Sequence, residues 1–217
     1  MTTQLIASGL FVLLGYLLGS IPTGFLMGKL LKGIDIREYG SGSTGATNVL
    51  RTVGKGAAIA VLVIDLLKGA AAPGMVKGFY AIAPAGILPD TWQPWLVTLT
   101  ALVAIIGHSK SVWLKFSGGK SAASGLGVLL VMNPLIALGT LGIFALVLAI
   151  SRIVSLGSIC SAIAANGLML FLHQPPPYCV FAALAGLYVV LRHRSNIQRI
   201  LAGVEPTIGQ KLQEKPE

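Results

Sequence analysis

The chain has 217 residues, 54% of them hydrophobic and only 11% charged, where a soluble domain carries about a quarter. Its long apolar runs exclude a soluble globular fold and point to an all-α polytopic integral membrane protein, because a bilayer span takes about 20 mostly apolar residues. The net charge of +9 calls for an anionic partner or surface, and the lack of basic runs interleaved with aromatics speaks against nucleic acid.

The first span is predicted over residues 5–28. It has no basic stretch before its apolar run, so it reads as a retained span rather than a cleaved leader. It leads into a polar loop, 29–55, whose centre is GSGSTGATNVLR, Gly40–Arg51. Gly40, Gly42 and Gly45 fit the string G-x-G-x-x-G, and Asp65 stands where a dinucleotide fold places its acidic residue. That fingerprint needs a preceding β-strand, and here a membrane span precedes it. What remains is anion chemistry: glycines let backbone N–H groups approach closely, and a helix start offers its free N–H groups. Ser41, Thr47 and Asn48 add side-chain contacts, and Arg51, about one turn along, can fork a phosphate.

The second span, 56–76, carries DLLKG, with Asp65 and Lys68 at i, i+3. Ionisable groups at membrane depth tend to pair, so these read as a packing pair, with a role beside the first loop as the alternative. The third span, 94–108, ends at His108, for which acid–base work and a structural hydrogen bond are equally open. SGGKS then resembles the end of a P-loop, but Leu114 stands where the first glycine belongs. Gly118, Gly119 and Lys120 instead repeat the anion recipe at the start of a fourth span, 119–133, while GLGVLL (125–130) reads as helix packing. A tight turn at Asn133-Pro134 joins it to a fifth span, 135–150.

The sixth span covers 154–172 and the seventh 178–192. His173, between them, reads as a surface residue, and Cys160 and Cys179 as core thiols. RHRSNIQR follows, with His193 and Asn196 one turn apart as functional candidates. A polar tail occupies about 209–217, and 1–217 reads as a single membrane-embedded domain. All 16 basic residues except Lys68 and Lys77 fall in loops and tail on one side. The positive-inside rule therefore predicts seven spans with the amino terminus out and the carboxyl terminus cytoplasmic.

The polar segments thus converge on one face as two phosphate cradles. That one-sidedness disfavours the alternative, a transporter of phosphorylated anions, which needs polar groups near the midplane. A non-catalytic scaffold would not need two cradles. No H-x-x-x-x-D occurs: Trp113, Tyr178 and Gln198 stand five places after the three histidines. There is no aspartate cluster for magnesium and no G-x-S-x-G.

GSGSTGATNVLR, GHSKSVWLKFSGGKSAASGLG and RHRSNIQRILAGVE resemble the three signature motifs of the PlsY-type acyl-phosphate:glycerol-3-phosphate acyltransferases of bacteria, and DLLKG and VSLGSI also fit. The resemblance implies an inner-membrane enzyme with its active site on the cytoplasmic face. It would move a fatty acyl group from acyl phosphate to the 1-hydroxyl of glycerol 3-phosphate, giving lysophosphatidate and inorganic phosphate, the first step of phospholipid synthesis. Its partners would be the two substrates and membrane lipid, with no cofactor and no metal. It makes Ser41, Arg51, Lys120, Ser155, His193 and Asn196 catalytic candidates. Gly40, Gly42, Thr47, Asn48, Gly118, Gly119 and Arg194 would bind phosphate, and Glu205 would support them. Ser43, Ser121 and Ser195 depart from the family pattern, which favours asparagine, glycine and an acidic residue there, but none removes a cation. With no recognisable nucleophile–base pair, direct attack by the glycerol hydroxyl is expected, the base being the glycerol phosphate's own phosphate or His193.

Overall fold

A bilayer leaves no water for backbone N–H and C=O groups, so apolar runs must satisfy them internally as helices. The computed structural model describes residues 1–84 and 86–210, so the expected tail lies outside the described residues from 211 onward. Among the described residues ten α-helices follow one another: α1 (Thr2–Ser20), α2 (Thr23–Lys32), α3 (Ala46–Thr52), α4 (Lys55–Ile82), α5 (Gln93–Ser109), α6 (Ala122–Met132), α7 (Pro134–Ser151), α8 (Val154–Phe171), α9 (Pro176–Arg192) and α10 (Arg194–Leu201). Among the described residues the only β-pairing is an isolated bridge between Ser111 and Ser117.

Among the described residues, four helical runs are long and apolar enough to cross a membrane: Thr2–Lys32, Lys55–Ile82, Pro134–Ser151 and Val154–Phe171. The first differs from the straight span expected over 5–28. It breaks at Ile21-Pro22, since Pro22 has no N–H to give the preceding turn, and resumes as α2. Of the expected span 119–133, the 11 residues of α6 are helical, about 16 Å at the helical rise, and the turn before Ala122 makes up the start of that range. Conversely α4, at 28 residues, reaches about 42 Å and outruns the expected 56–76. The Asn133-Pro134 turn holds as read: the Asn133 side chain accepts from the N–H groups of Leu135 (2.9 Å) and Ile136 (3.3 Å), and Pro134 opens α7.

Helix α1 packs on α4 and α5, α4 on α6, α7 on α8, and α9 on both α5 and α8. A side chain at Gly127 of α6 would run into the Leu66 carbonyl of α4, so these two helices meet almost backbone to backbone. Val97, Ile105, Val128, Ile136, Met169 and Phe181 form the buried centre. Leu10, Leu138, Ile150, Ile163, Leu170 and Leu187 are each more than half exposed, an apolar exterior that suits lipid rather than water. A second, smaller core joins Ile36, Val49, Ala57, Ala58 and Val61. It binds the first polar loop and α3 to the opening turns of α4 as a cap on one end of the bundle. The polar motifs meet between cap and bundle.

Candidate active site

The first loop is organised by two side chains. Asn48, 1% exposed, accepts from the Ser41 N–H (2.9 Å) and donates to the carbonyls of Ile36 (3.1 Å), Tyr39 (3.0 Å) and Ser43 (2.9 Å). Its N–H groups are spent on the loop, so it shapes the cradle rather than holding an anion. Gly40 takes φ +56°, and a Cβ there would strike Asn48 Oδ1, which requires glycine on both counts. Arg37 pairs with Asp35 at 2.6 Å and donates to Ser117 Oγ at 3.0 Å, tying the first polar loop to the second. The Arg37 side-chain hydrogen bond holds the Asp35 carboxyl below its ordinary range, against the opposing effect of burial. From this frame α3 carries Thr47 and Arg51 to the cavity wall.

The second cradle is a fixed turn. The Gly119 N–H donates to the His108 carbonyl (3.1 Å), and a side chain at Gly119 would overlap the His108 ring. The Arg192 guanidinium donates to the carbonyls of Gly118 (3.4 Å) and Gly119 (3.2 Å). The Gly119 N–H is therefore committed to the protein, and the turn serves to aim Lys120. Ser121 adopts a left-handed conformation, φ +65°, which accounts for glycine being common there in the family pattern. Its buried hydroxyl offsets the strain by donating to the Ile105 carbonyl at 2.8 Å, with Ser109 Oγ at 2.7 Å.

Glu205 joins the third segment to the others. One carboxylate oxygen accepts from Ser155 Oγ and from Asn196 Nδ2, both at 2.6 Å, and the other from Arg199 Nε at 2.6 Å. Burial opposes the charge on Glu205, but these three donors hold its carboxyl below the ordinary range. Lys120 Nζ donates to Asn196 Oδ1 at 2.5 Å, and Arg51 Nη2 donates to the Pro206 carbonyl at 3.2 Å. Burial lowers Lys120 to about 8, with Glu205 holding it up and Arg199, Arg192 and Arg51 pressing it down. Arg51 is also lowered, chiefly by burial. His193 is 4% exposed and its Nδ1 stands 2.8 Å from the Val189 carbonyl. A carbonyl only accepts, so Nδ1 carries the proton and Nε2 is left as an acceptor. Burial above all lowers this imidazole to about 4, so it is neutral at pH 7.

These groups open on one cavity of about 470 Å³. Ser41, Arg51, Lys120, His193, Asn196 and Glu205 line its polar end, and Leu129, Leu141, Phe144, Ala165 and Phe181 its apolar end. Thr47, Asn48 and Ser155 also reach its wall, as do Asp65 and His108. A more open recess beside it is lined by Ser41, Gly42, Gly118, Lys120, Arg192 and Arg194. Gly40, Gly119 and Lys68 touch neither space. Lys68 pairs with Asp65 at 2.9 Å, as their spacing predicts. The two carboxylates on the wall are each paired with a cation, so the polar end presents surplus donors, the arrangement an anion needs.

Sequence reasoning had passed over Arg192 and Arg199. Both lie in the third polar segment, but only the packing of α9 and α10 shows that one grips the Gly118–Gly119 turn and the other neutralises Glu205. Ser158 and Ser161 on the cavity wall gave no signal beyond being serines in an apolar run.

Residues 9–203 match the family of glycerol-3-phosphate acyltransferases. The chain is 66% identical to a glycerol-3-phosphate acyltransferase of Rippkaea orientalis over 97% of both chains. It is 56% identical to one from Synechocystis over 100% of this chain and 98% of that one. Two crystal structures of PlsY, an integral membrane glycerol 3-phosphate acyltransferase, superpose on it. The glycerol 3-phosphate form gives a TM-score of 0.84 at 34% identity, covering 94% of this chain and 96% of the other. The lysophosphatidic acid form gives 0.81 at 33% identity with the same coverage.

Proposed function

The chain belongs to the glycerol-3-phosphate acyltransferase family, and from that premise we propose that it transfers a fatty acyl group from acyl phosphate to the 1-hydroxyl of glycerol 3-phosphate, releasing lysophosphatidate and inorganic phosphate. The observation that carries this reading is that Arg51, Arg192 and Arg199 crowd Lys120, with the Glu205 carboxylate beside them, and that Arg51, Lys120 and Glu205 line one cavity together with apolar side chains. Both substrates bring phosphate to the cations, and the acyl tail takes the apolar end. Seven spans, with the amino terminus outside and the site at the cytoplasmic face of the bacterial inner membrane, complete the reading. It treats the whole chain as one domain.

In this scheme Arg51 and Lys120 hold the phosphates, with Thr47 and Ser41 beside them. The 1-hydroxyl oxygen attacks the acyl carbonyl carbon, and the carbon–oxygen bond to the departing phosphate breaks. The cationic rim stabilises the charge that develops on that phosphate. The hydroxyl proton passes to a base, either the phosphate of glycerol 3-phosphate or the unprotonated Nε2 of His193, a residue that lines the same cavity. Ser155, Asn196 and Arg199 fix Glu205, and through Asn196 they place the Lys120 ammonium. Holding both substrates in one cavity supplies much of the remaining acceleration.

The purified protein, given acyl phosphate and glycerol 3-phosphate, is expected to form lysophosphatidate, read by mass spectrometry. No lysophosphatidate from acyl phosphate, with formation from another acyl donor, would reject the proposed donor.

A further inference from the structure

The loop between α5 and α6 carries side chains that the transfer scheme does not use. Leu114 is tucked in, 4% exposed, while Val112, Trp113 (62%) and Phe116 (60%) stand outward beside the exposed Lys110 and Lys115. The arrangement is built rather than loose. The Phe116 N–H donates to the Ser111 carbonyl at 2.8 Å, and the Ser117 N–H donates to the Leu114 carbonyl at 3.2 Å. Between these bonds Lys115 and Phe116 take φ of 52° and 60°. A tight turn with both central residues left-handed ordinarily holds Asn or Gly, and a bulky residue there costs free energy. The chain accepts that cost and places a cation and an aromatic ring at the tip.

The loop is fixed against a helix with an apolar outer face. Tyr16 Oη donates to the Lys110 carbonyl at 2.8 Å, and Ser111 Oγ donates to the Ser20 carbonyl at 2.5 Å. On α1, Leu10, Leu13 and Leu14 are exposed, and Ser20 lies six residues past Leu14, about 9 Å at the helical rise. The loop thus leaves the bundle where its apolar exterior ends, the level at which tryptophan and lysine meet lipid headgroups. Three outward apolar side chains are too few for a stable protein interface, which takes about 800 Å² per partner. They suit insertion at the acyl boundary, with two ammonium groups matched to lipid phosphates. We propose that residues 110–116 are a binding surface for anionic phospholipids of the leaflet at the polar end of the bundle, Trp113 and Phe116 entering the acyl boundary and Lys110 and Lys115 meeting headgroup phosphates. Ser117 accepts from Arg37 at 3.0 Å and leads directly into the Gly118–Lys120 turn, so this contact sets the height of the site at the membrane surface. It depends on the membrane placement of the bundle and not on the acyl-transfer chemistry.

The test places the full chain in nanodiscs, with Trp92→Phe and Trp95→Phe leaving Trp113 as the one tryptophan. The bilayers are phosphatidylcholine alone or mixed with phosphatidylglycerol, each with and without bromine near the top of the acyl chains. Each lysine near an anionic surface favours the seated tip by about fivefold. Trp113 emission is therefore expected further to the blue in the anionic bilayer, and quenched by bromine about twofold or more as strongly as in phosphatidylcholine. Raised salt, or Lys110→Gln with Lys115→Gln, should remove that difference. Emission typical of an indole in water, unquenched in both bilayers, overturns the assignment and would suit a soluble protein partner instead. Equal quenching in the two bilayers, insensitive to salt, also overturns it, because the lysines then contribute nothing. If the double lysine variant does not fold, the salt dependence alone reads their part. If the single-tryptophan protein does not fold, the difference in emission between the unmodified protein and Trp113→Phe gives the same reading.

Discussion

Arg51 and Lys120 are both cations, but the protein uses them differently. Arg51 stays charged at any working pH, and its guanidinium reaches the cavity from a short helix anchored by the second core. Arg51→Ala is expected to lower kcat/KM by about 100-fold or more, the scale of losing one donor that stabilises developing charge. Near-normal turnover in a variant that still inserts in the membrane would contradict this role. Lys120 sits at about 8. It is protonated below that pH and loses its charge as pH rises through it, so activity is expected to fall on the alkaline side near 8. Lys120→Arg should push that limb upward, whatever it does to the maximum rate. The acidic limb identifies the base. A phosphate monoester titrates near about 6, whereas His193 lies at about 4. A limb near 6 assigns the proton to the substrate phosphate, and one near 4 assigns it to His193. The sequence made Arg51, Lys120, His193 and Asn196 visible because polar residues are conspicuous among apolar ones. It did not show that Asn48 spends its amide on its own loop, or that the Gly119 N–H is spent on His108, because both facts depend on how the loops close.

Among the elements, the hydropathy pattern located the helices well and their ends poorly. Apolar runs mark where a chain must bury its backbone in helix, but not where proline breaks it, as at Pro22, or where a helix continues past the apolar run, as α4 does. The short α6 keeps the place of the expected span 119–133, but the Gly118–Ser121 turn takes up the start of that range, so the helix itself is only 11 residues long. Helix packing also makes the apolar end of the cavity. Ala165 lies ten residues beyond Ser155 on α8, about 15 Å from the polar end at the helical rise. Ala165→Phe is expected to cut turnover of long-chain acyl phosphate severely while leaving short-chain donors within a few-fold, measured as lysophosphatidate formed from each. Equal losses for both lengths would mean the tail does not lie along α8.

At the scale of the whole molecule, the account needs the polar end of the bundle to face the cytoplasm. Cysteine placed at Asp90 or at Lys110, in a background lacking Cys160 and Cys179, should react differently with an impermeant thiol reagent added to intact cells: Asp90→Cys labelled, Lys110→Cys protected until the membrane is opened. The reverse pattern would invert the topology. Within that frame, the central claim is direct transfer between two substrates held together. The most direct measurement is rapid-quench kinetics of phosphate release and lysophosphatidate formation by the purified protein. The account predicts that both rise together from the first turnover, one phosphate per lysophosphatidate, with no phosphate released when glycerol 3-phosphate is left out. A burst of phosphate equal to the enzyme present, without glycerol 3-phosphate, would reveal an acyl-enzyme and contradict it.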